Sequence, residues 1–251
     1  MTDTKDYQET FWEHLDDLRS VLIRIIIIAA VFSLAAFFFK EWLFSIIFAP
    51  KSSSFVSYKF LGGENFNISL MNTELTGQFM MHLKVSLVTG IIASSPYIIY
   101  ELFRFVSPAL YDNEKRYSSR IVLSAYIMFI LGAVVNYFLI FPLTLRFLGT
   151  YEVSNEVKNM LTLDSYMDTL LMMTLVFGVV FEIPVVSWLL GRFGLMKSRW
   201  MRKYRRHAIV VILIMAAVIT PTSDVFTLTI VFLPIWILYE ISVLVVKRTE
   251  N

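Results

Sequence analysis

SVLIRIIIIAAVFSLAAFFF, residues 20–39, is long and apolar enough to cross a bilayer. A transmembrane helix needs about 20 mainly apolar residues. Directly before it stands HLDDLR, residues 14–19. Two readings of that hexapeptide stay open at this point. Asp16 and Asp17 suit a helix start, because carboxylates complement the positive end of a helix dipole. They also suit a binding site held at a membrane surface.

The rest of the chain has the same character. It is 251 residues long, 57% hydrophobic and only 17% charged, with a mean hydropathy of +0.66. Those values belong to integral membrane proteins. A net charge of +2 gives no reason to expect a nucleic-acid partner. With no cysteine, disulfides, thiolate metal sites and cysteine nucleophiles are excluded. His14, His82 and His207 are scattered and sit in no HExxH, so no metal site is expected. Neither a GxSxG elbow nor a GxxxxGK[ST] phosphate loop occurs. The expectation is a protein that is not an enzyme and holds no cofactor. Residues 1–19 are polar and acidic, unlike a cleavable leader, so the first apolar run is read as a retained span.

Hydropathy predicts an all-α polytopic fold of six spans, near 21–39, 79–103, 121–141, 168–190, 207–220 and 225–246. They form a single transmembrane domain over 1–251, and the last two spans are short. Fourteen residues at 207–220 cover about 21 Å at 1.5 Å per residue, against a hydrocarbon core of about 30 Å. The PTSD turn at 221–224 makes these two spans a hairpin. Lysine and arginine concentrate near residues 5–24, 104–120, 192–206 and 247–248. That side should be cytoplasmic, with both termini inside. The outer loops are about 42–78 and 142–167, and KSSSFVSYKFLGGENFNISL (51–70) in the first has room for a short strand pair or an interfacial helix.

Ionisable groups inside spans are functional candidates by default. Glu182, in FGVVFEIP (177–184), lies mid-span. It is either satisfied by another span or offered to a partner, and Pro184 should bend the helix beside it. Lys84 is expected to snorkel to the outer surface, and Glu240 to face solvent. Pro96 and Pro234 should bend their spans. The inner loop RFVSPALYDNEKR (104–116) carries Phe105 and Glu114. Glu114 and Asp17 are acidic groups on a side otherwise rich in cations. Together they make an anionic pocket with an aromatic floor, which suits a planar, always-charged guanidinium.

Four motifs then occur in order: HLDDLR, SSPYIIYELFRFVSPALYDNEKR (94–116), FGVVFEIP and ITPTSDVF (219–226). In this order among the spans, the sequence resembles the TatC family, the multi-span core of the twin-arginine protein translocase. The resemblance runs from His14 to about Tyr239. It implies a receptor in the bacterial inner membrane, driven by the proton-motive force and assembled in several copies. The signal peptides of folded cargo would be bound by Asp17, Arg19, Phe105 and Glu114. Glu101 is an added acid beside them, either a third arginine ligand or merely interfacial. TatA-like and TatB-like single-span partners would meet Glu182, Thr220, Pro221 and Asp224. Asp17 stands where the family usually has Glu, which keeps the charge but shortens the reach by one methylene. The turn is one residue longer than the family's TPPD, and Leu228 replaces a frequent Gln. A rival reading is a proton-coupled secondary transporter of a small solute using Glu182. An inverted repeat with discontinuous helices would favour it, and none is found in the sequence.

Overall fold

The computed structural model describes residues 11–60, 68–106, 118–151, 160–220 and 224–250. Helix dominates them, as it must where lipid offers no partner to backbone polar groups. Helix α1 is Phe11–Phe38 and α2 is Lys40–Phe48. A short α3, Val56–Phe60, follows, then α4, Gly77–Val106. Helix α5, Ser118–Val135, continues through a π-helical turn at Asn136–Ile140 into α6, Phe141–Thr150. Helices α7, Leu163–Val180, and α8, Ile183–Arg192, form one broken span. The chain closes with α9, Ser198–Lys203, α10, Arg205–Ile219, and α11, Val225–Thr249.

Among the described residues, five stretches are long and apolar enough to cross a membrane: Leu15–Phe38, Gly77–Phe105, Ser119–Thr150, Leu163–Arg192 and Val225–Thr249. The remaining expected span is α10, whose 15 residues reach about 22 Å. It packs against α11 as the predicted hairpin. The strand pair is also present, but in a different place. Leu70 and Met71 pair in parallel with Leu161 and Thr162, so the two outer loops are joined to each other.

Prolines set the two breaks. Pro142 has no N–H to offer the carbonyl of Phe138. That carbonyl instead accepts from the hydroxyl of Ser57 on α3, next to the π turn. Pro184 does the same to Val180, and the helix is interrupted at Phe181 and Glu182. Pro96 and Pro234 lie inside continuous helices. Tyrosines satisfy carbonyls at the C-terminal end of α2 and in the turn Ala49–Lys51 that follows it. Tyr137 donates to Ile46 (2.6 Å), Tyr166 to Ile47 (2.7 Å) and Tyr58 to Pro50 (2.8 Å). Burial pushes the Tyr58 phenol above its ordinary range, which keeps it a donor.

The core lies between α5, α7 and α11, around Phe141, Met167, Met173, Phe177, Val231 and Ile235. Small residues allow the helices close approach. A Cβ at Gly178 would press on the Phe129 ring, and one at Gly132 on the Phe177 carbonyl. Helix α1 stands apart from this core. Only 6% of its most apolar stretch is buried, and α4 is its principal neighbour. The contact is tight at one point, where a Cβ on Gly90 would collide with the Ser33 backbone.

Candidate functional site

Helices α1 and α4 run antiparallel, and three contacts fix their register. Arg24 meets Glu101, Ser33 donates to the Leu87 carbonyl, and His82 stacks on Phe37. The first is the most consequential. Glu101 is 2% exposed. Its Oε2 accepts from Arg24 Nη2 at 3.0 Å and Nε at 3.2 Å, and its Oε1 accepts from the Tyr97 hydroxyl at 3.0 Å. The expected extra ligand for arginine therefore already holds one, from its own chain.

Asp17 lies seven residues before Arg24, about 10 Å further along the helix. Phe105 lies four residues beyond Glu101, about 6 Å in the same direction. The ion pair thus carries Asp17 to near the level of Phe105, about 4 Å past it. Asp17 and Arg19 are exposed, and Phe105 is half-buried. Neither Asp16 nor Asp17 caps a helix, because α1 has already begun by Phe11. The capping reading is thereby removed for both. Glu114 lies outside the described residues.

Glu182 sits at the break between α7 and α8, on the wall of a groove of about 210 Å³. Its other walls are apolar: Ile99 and Phe103 of α4, Ile121 of α5, and Val185 and Leu189 of α8. One carboxyl oxygen is buried and finds no hydrogen-bond partner among the described residues. A buried polar atom left so is costly. A polar side chain entering the groove would relieve it.

Of the hairpin residues, Thr220 faces inward and Asp224 is half-buried. Thr220 is 5% exposed and its hydroxyl donates to the Ala216 carbonyl at 3.0 Å. Asp224 caps α11, accepting from the Thr227 N–H at 2.7 Å. Pro221 lies outside the described residues.

Two other expectations change. Lys84 does not reach alone for the surface but pairs with Asp168 at 2.8 Å. Glu240 pairs with Arg205 at 2.6 Å rather than facing solvent unaccompanied. Sequence reasoning missed Arg24 as a partner for Glu101, although a signal existed. Both are ionisable groups inside apolar runs, near the same membrane surface, with opposite charge.

The fold and these two sites define a polytopic helical membrane protein. It carries an Arg24–Glu101 pair near the exposed Asp17, and a groove with the Glu182 carboxyl on its wall. The family model described as Sec-independent protein translocase protein (TatC) matches residues 13–234. The chain belongs to the TatC family. It is 36% identical over 240 residues to the Sec-independent protein translocase protein TatC of Desulforapulum autotrophicum, covering 96% of this chain and 85% of that one. The Aquifex aeolicus protein of the same name is 33% identical over 236 residues, covering 94% and 93%. A crystal structure of the twin-arginine translocase receptor TatC superposes with a TM-score of 0.82 at 33% identity, covering 95% of this chain and all of that one. The chain is a multi-pass protein of the bacterial inner membrane. Nothing in these comparisons supports a solute transporter.

Proposed function

We propose that this chain is the TatC component of a Sec-independent translocase and binds twin-arginine signal peptides at its cytoplasmic face. One observation carries the reading. The Arg24–Glu101 pair holds the exposed Asp17 near the level of Phe105, which stands nine residues before Glu114 in the sequence. Both termini are cytoplasmic in this orientation, within one transmembrane domain. A signal's two guanidinium groups dock on Asp17 and Glu114, with Phe105 packed beside them. Arg19 guards the outer edge of the pocket, and Glu101 acts through Arg24. A charge-assisted hydrogen bond contributes about 1.5–3 kcal/mol, so two discriminate between signals while permitting release.

Glu182 offers its carboxyl to a polar side chain on a TatA-like or TatB-like single-span helix. Such bonds between membrane helices average below 2 kcal/mol, so this contact orients more than it anchors. Thr220, Pro221 and Asp224 offer those partners a second contact, with Asp224 holding the start of α11. The work is binding, powered by the proton-motive force in a multi-copy complex.

A photocrosslinking twin-arginine peptide tests the first site in inverted membrane vesicles. Asp17→Ala and Glu114→Ala should each abolish its crosslink, and an unchanged yield in both would sink the assignment. In the same vesicles Glu182→Ala should lose co-purification of the single-span partners while leaving the peptide crosslink intact.

A further inference from the structure

GLMKSRWMRKYRRH, residues 194–207, joins α8 to α10 and is the most basic stretch of the chain, without one carboxylate. Helix α9 within it is firmly docked. Met201 is buried beside Val243 and Val246 of α11. Its carbonyl accepts from the Tyr239 hydroxyl at 2.7 Å, Ser198 donates to Glu250, and Arg205 pairs with Glu240 at 2.6 Å. At about 3.6 residues per turn, Arg199, Trp200 and Lys203 point away from Met201. All three are exposed, as are Tyr204 and Arg206. Among the described residues, Arg199, Lys203 and Arg206 form no ion pair, and the nearby carboxylates Glu240 and Glu250 are already engaged. The depth of this face follows from its anchors. Tyr239 and Glu240 stand eight and seven residues before Lys247 on α11, about 10–12 Å deeper in the membrane. Their bonds draw α9 and the start of α10 into the headgroup layer instead of leaving them in bulk water.

We propose that this exposed face of α9 is a binding surface for the headgroups of anionic phospholipids. Phosphates lie against Arg199, Lys203 and Arg206, while Trp200 and Tyr204 sit at the boundary between headgroups and acyl chains, where amphipathic rings collect. Guanidinium groups suit phosphate because their donors form a planar fork. Two features choose the occupant. Cations without a carboxylate partner call for an anion, and large aromatic rings left outside call for an amphiphile. A soluble acidic segment would meet the first need but leave Trp200, 55% exposed, in water. The same cations repel a signal peptide carrying paired arginines. Anionic lipid meets both needs, and polybasic segments beside a span attract it.

Fluorescence of Trp200 in the full chain, reconstituted in lipid vesicles, tests this. The signal is the difference between the unaltered protein and a Trp200→Phe variant. Phosphatidylglycerol brominated near the headgroup end of its chains should quench it at about fivefold lower mole fraction than the matching phosphatidylcholine, the effect of one fully engaged cation. Arg199→Gln, Lys203→Gln and Arg206→Gln together should bring that ratio to about one. Arg104→Gln, an exposed cation on α4, should leave it unchanged. Equal quenching by the two lipids, a preference that survives the triple substitution, or an equal loss in Arg104→Gln overturns the proposal. So does a signal that neither lipid quenches, which would place Trp200 away from the bilayer. Loss of the preference in millimolar inorganic phosphate at constant ionic strength also overturns it, since that would mark a site for free anions. If the triple variant does not fold, salt decides on the unaltered protein. A preference that weakens as ionic strength rises supports the surface, and one indifferent to salt overturns it.

Discussion

Arg24→Leu should loosen α1 from the body of the protein, and by much more than Glu101→Gln. The two residues form one ion pair but live in different surroundings. The Glu101 side chain is 3% exposed and that of Arg24 is 44% exposed. Deleting Arg24 strands a carboxylate in a dry contact where, among the described residues, only the Tyr97 hydroxyl is left to it. Breaking a buried pair in this way costs about 3–5 kcal/mol. The lower end, about 3 kcal/mol, applies here because Arg24 is partly exposed and its loss removes less than a fully buried partner would. Glu101→Gln keeps the shape and an oxygen for Tyr97. The stranded group is then an arginine, whose long stem can carry its charge to the headgroups. That variant should lose only about 1 kcal/mol.

The measurement is detachment of α1 from α4 in the purified protein as a denaturing detergent is titrated in. The chain has no cysteine, so Ile26→Cys and Tyr100→Cys, both at exposed positions, take a pair of distance-reporting labels without interference. A loss in Glu101→Gln equal to that in Arg24→Leu would refute the reasoning. So would a loss below about 1 kcal/mol in Arg24→Leu, because a stranded buried carboxylate cannot be so cheap.

Gly90→Leu should drive the same two helices apart, because its side chain would grow into the Ser33 backbone rather than into a movable side chain. Overpacking of this kind costs about 1–3 kcal/mol, and the labels on α1 and α4 should report a longer distance even before denaturant. At the other end of the chain, Glu250 accepts from the Ser198 N–H at 2.6 Å and from its hydroxyl at 2.5 Å. These bonds hold the Glu250 carboxyl below the usual carboxylate range. Docking of α9 is therefore strengthened at pH values above the ordinary carboxylate pKa, and that gain is lost as pH falls through the lowered one. The protection factors of Ser198–Lys203, which are corrected for the intrinsic slowing of exchange in acid, should fall on acidification from pH 7 towards pH 3 in the unaltered protein. They should show no such carboxylate-linked step in Glu250→Gln.

The spans were legible because lipid imposes one rule on every residue that enters it: backbone groups must be satisfied within a helix. Length and hydropathy then suffice, even for the shortness of α10. Breaks at Pro184 were legible for the same local reason. What pairs with what was not legible. Arg24 and Glu101 are 77 residues apart, Lys84 and Asp168 are 84 apart, and Arg205 and Glu240 are 35 apart. Each partner alone has an ordinary local explanation, such as snorkelling or an interfacial position, and only the packing of helices chooses between that and an ion pair. The capping of Asp16 and Asp17 failed because the helix extends back past them to Phe11, through polar residues that hydropathy does not count. Asp224 went the other way. Its role as a cap is local, an Asp one residue before a run of β-branched and aromatic residues, but the partner reading overshadowed it.

Glu101 can serve a signal peptide in two ways, and the ion pair separates them. As a direct ligand, its carboxylate would leave Arg24 and take an incoming arginine. As a positioning group, it keeps Arg24 in place, and so sets where α1 carries Asp17. Helix α1 has little else to set its height, since α4 is its main neighbour and most of its surface faces outward. The double variant Arg24→Leu with Glu101→Leu distinguishes the roles. Replacing a buried pair by apolar residues of similar size is often neutral or stabilising, so the α1–α4 label distance should be unchanged. If Glu101 only positions, the twin-arginine peptide should still crosslink to this variant at close to the original yield, while Arg24→Leu alone loses it. If the double variant keeps the label distance yet loses the crosslink, the positioning role is refuted and the carboxylate itself touches the signal.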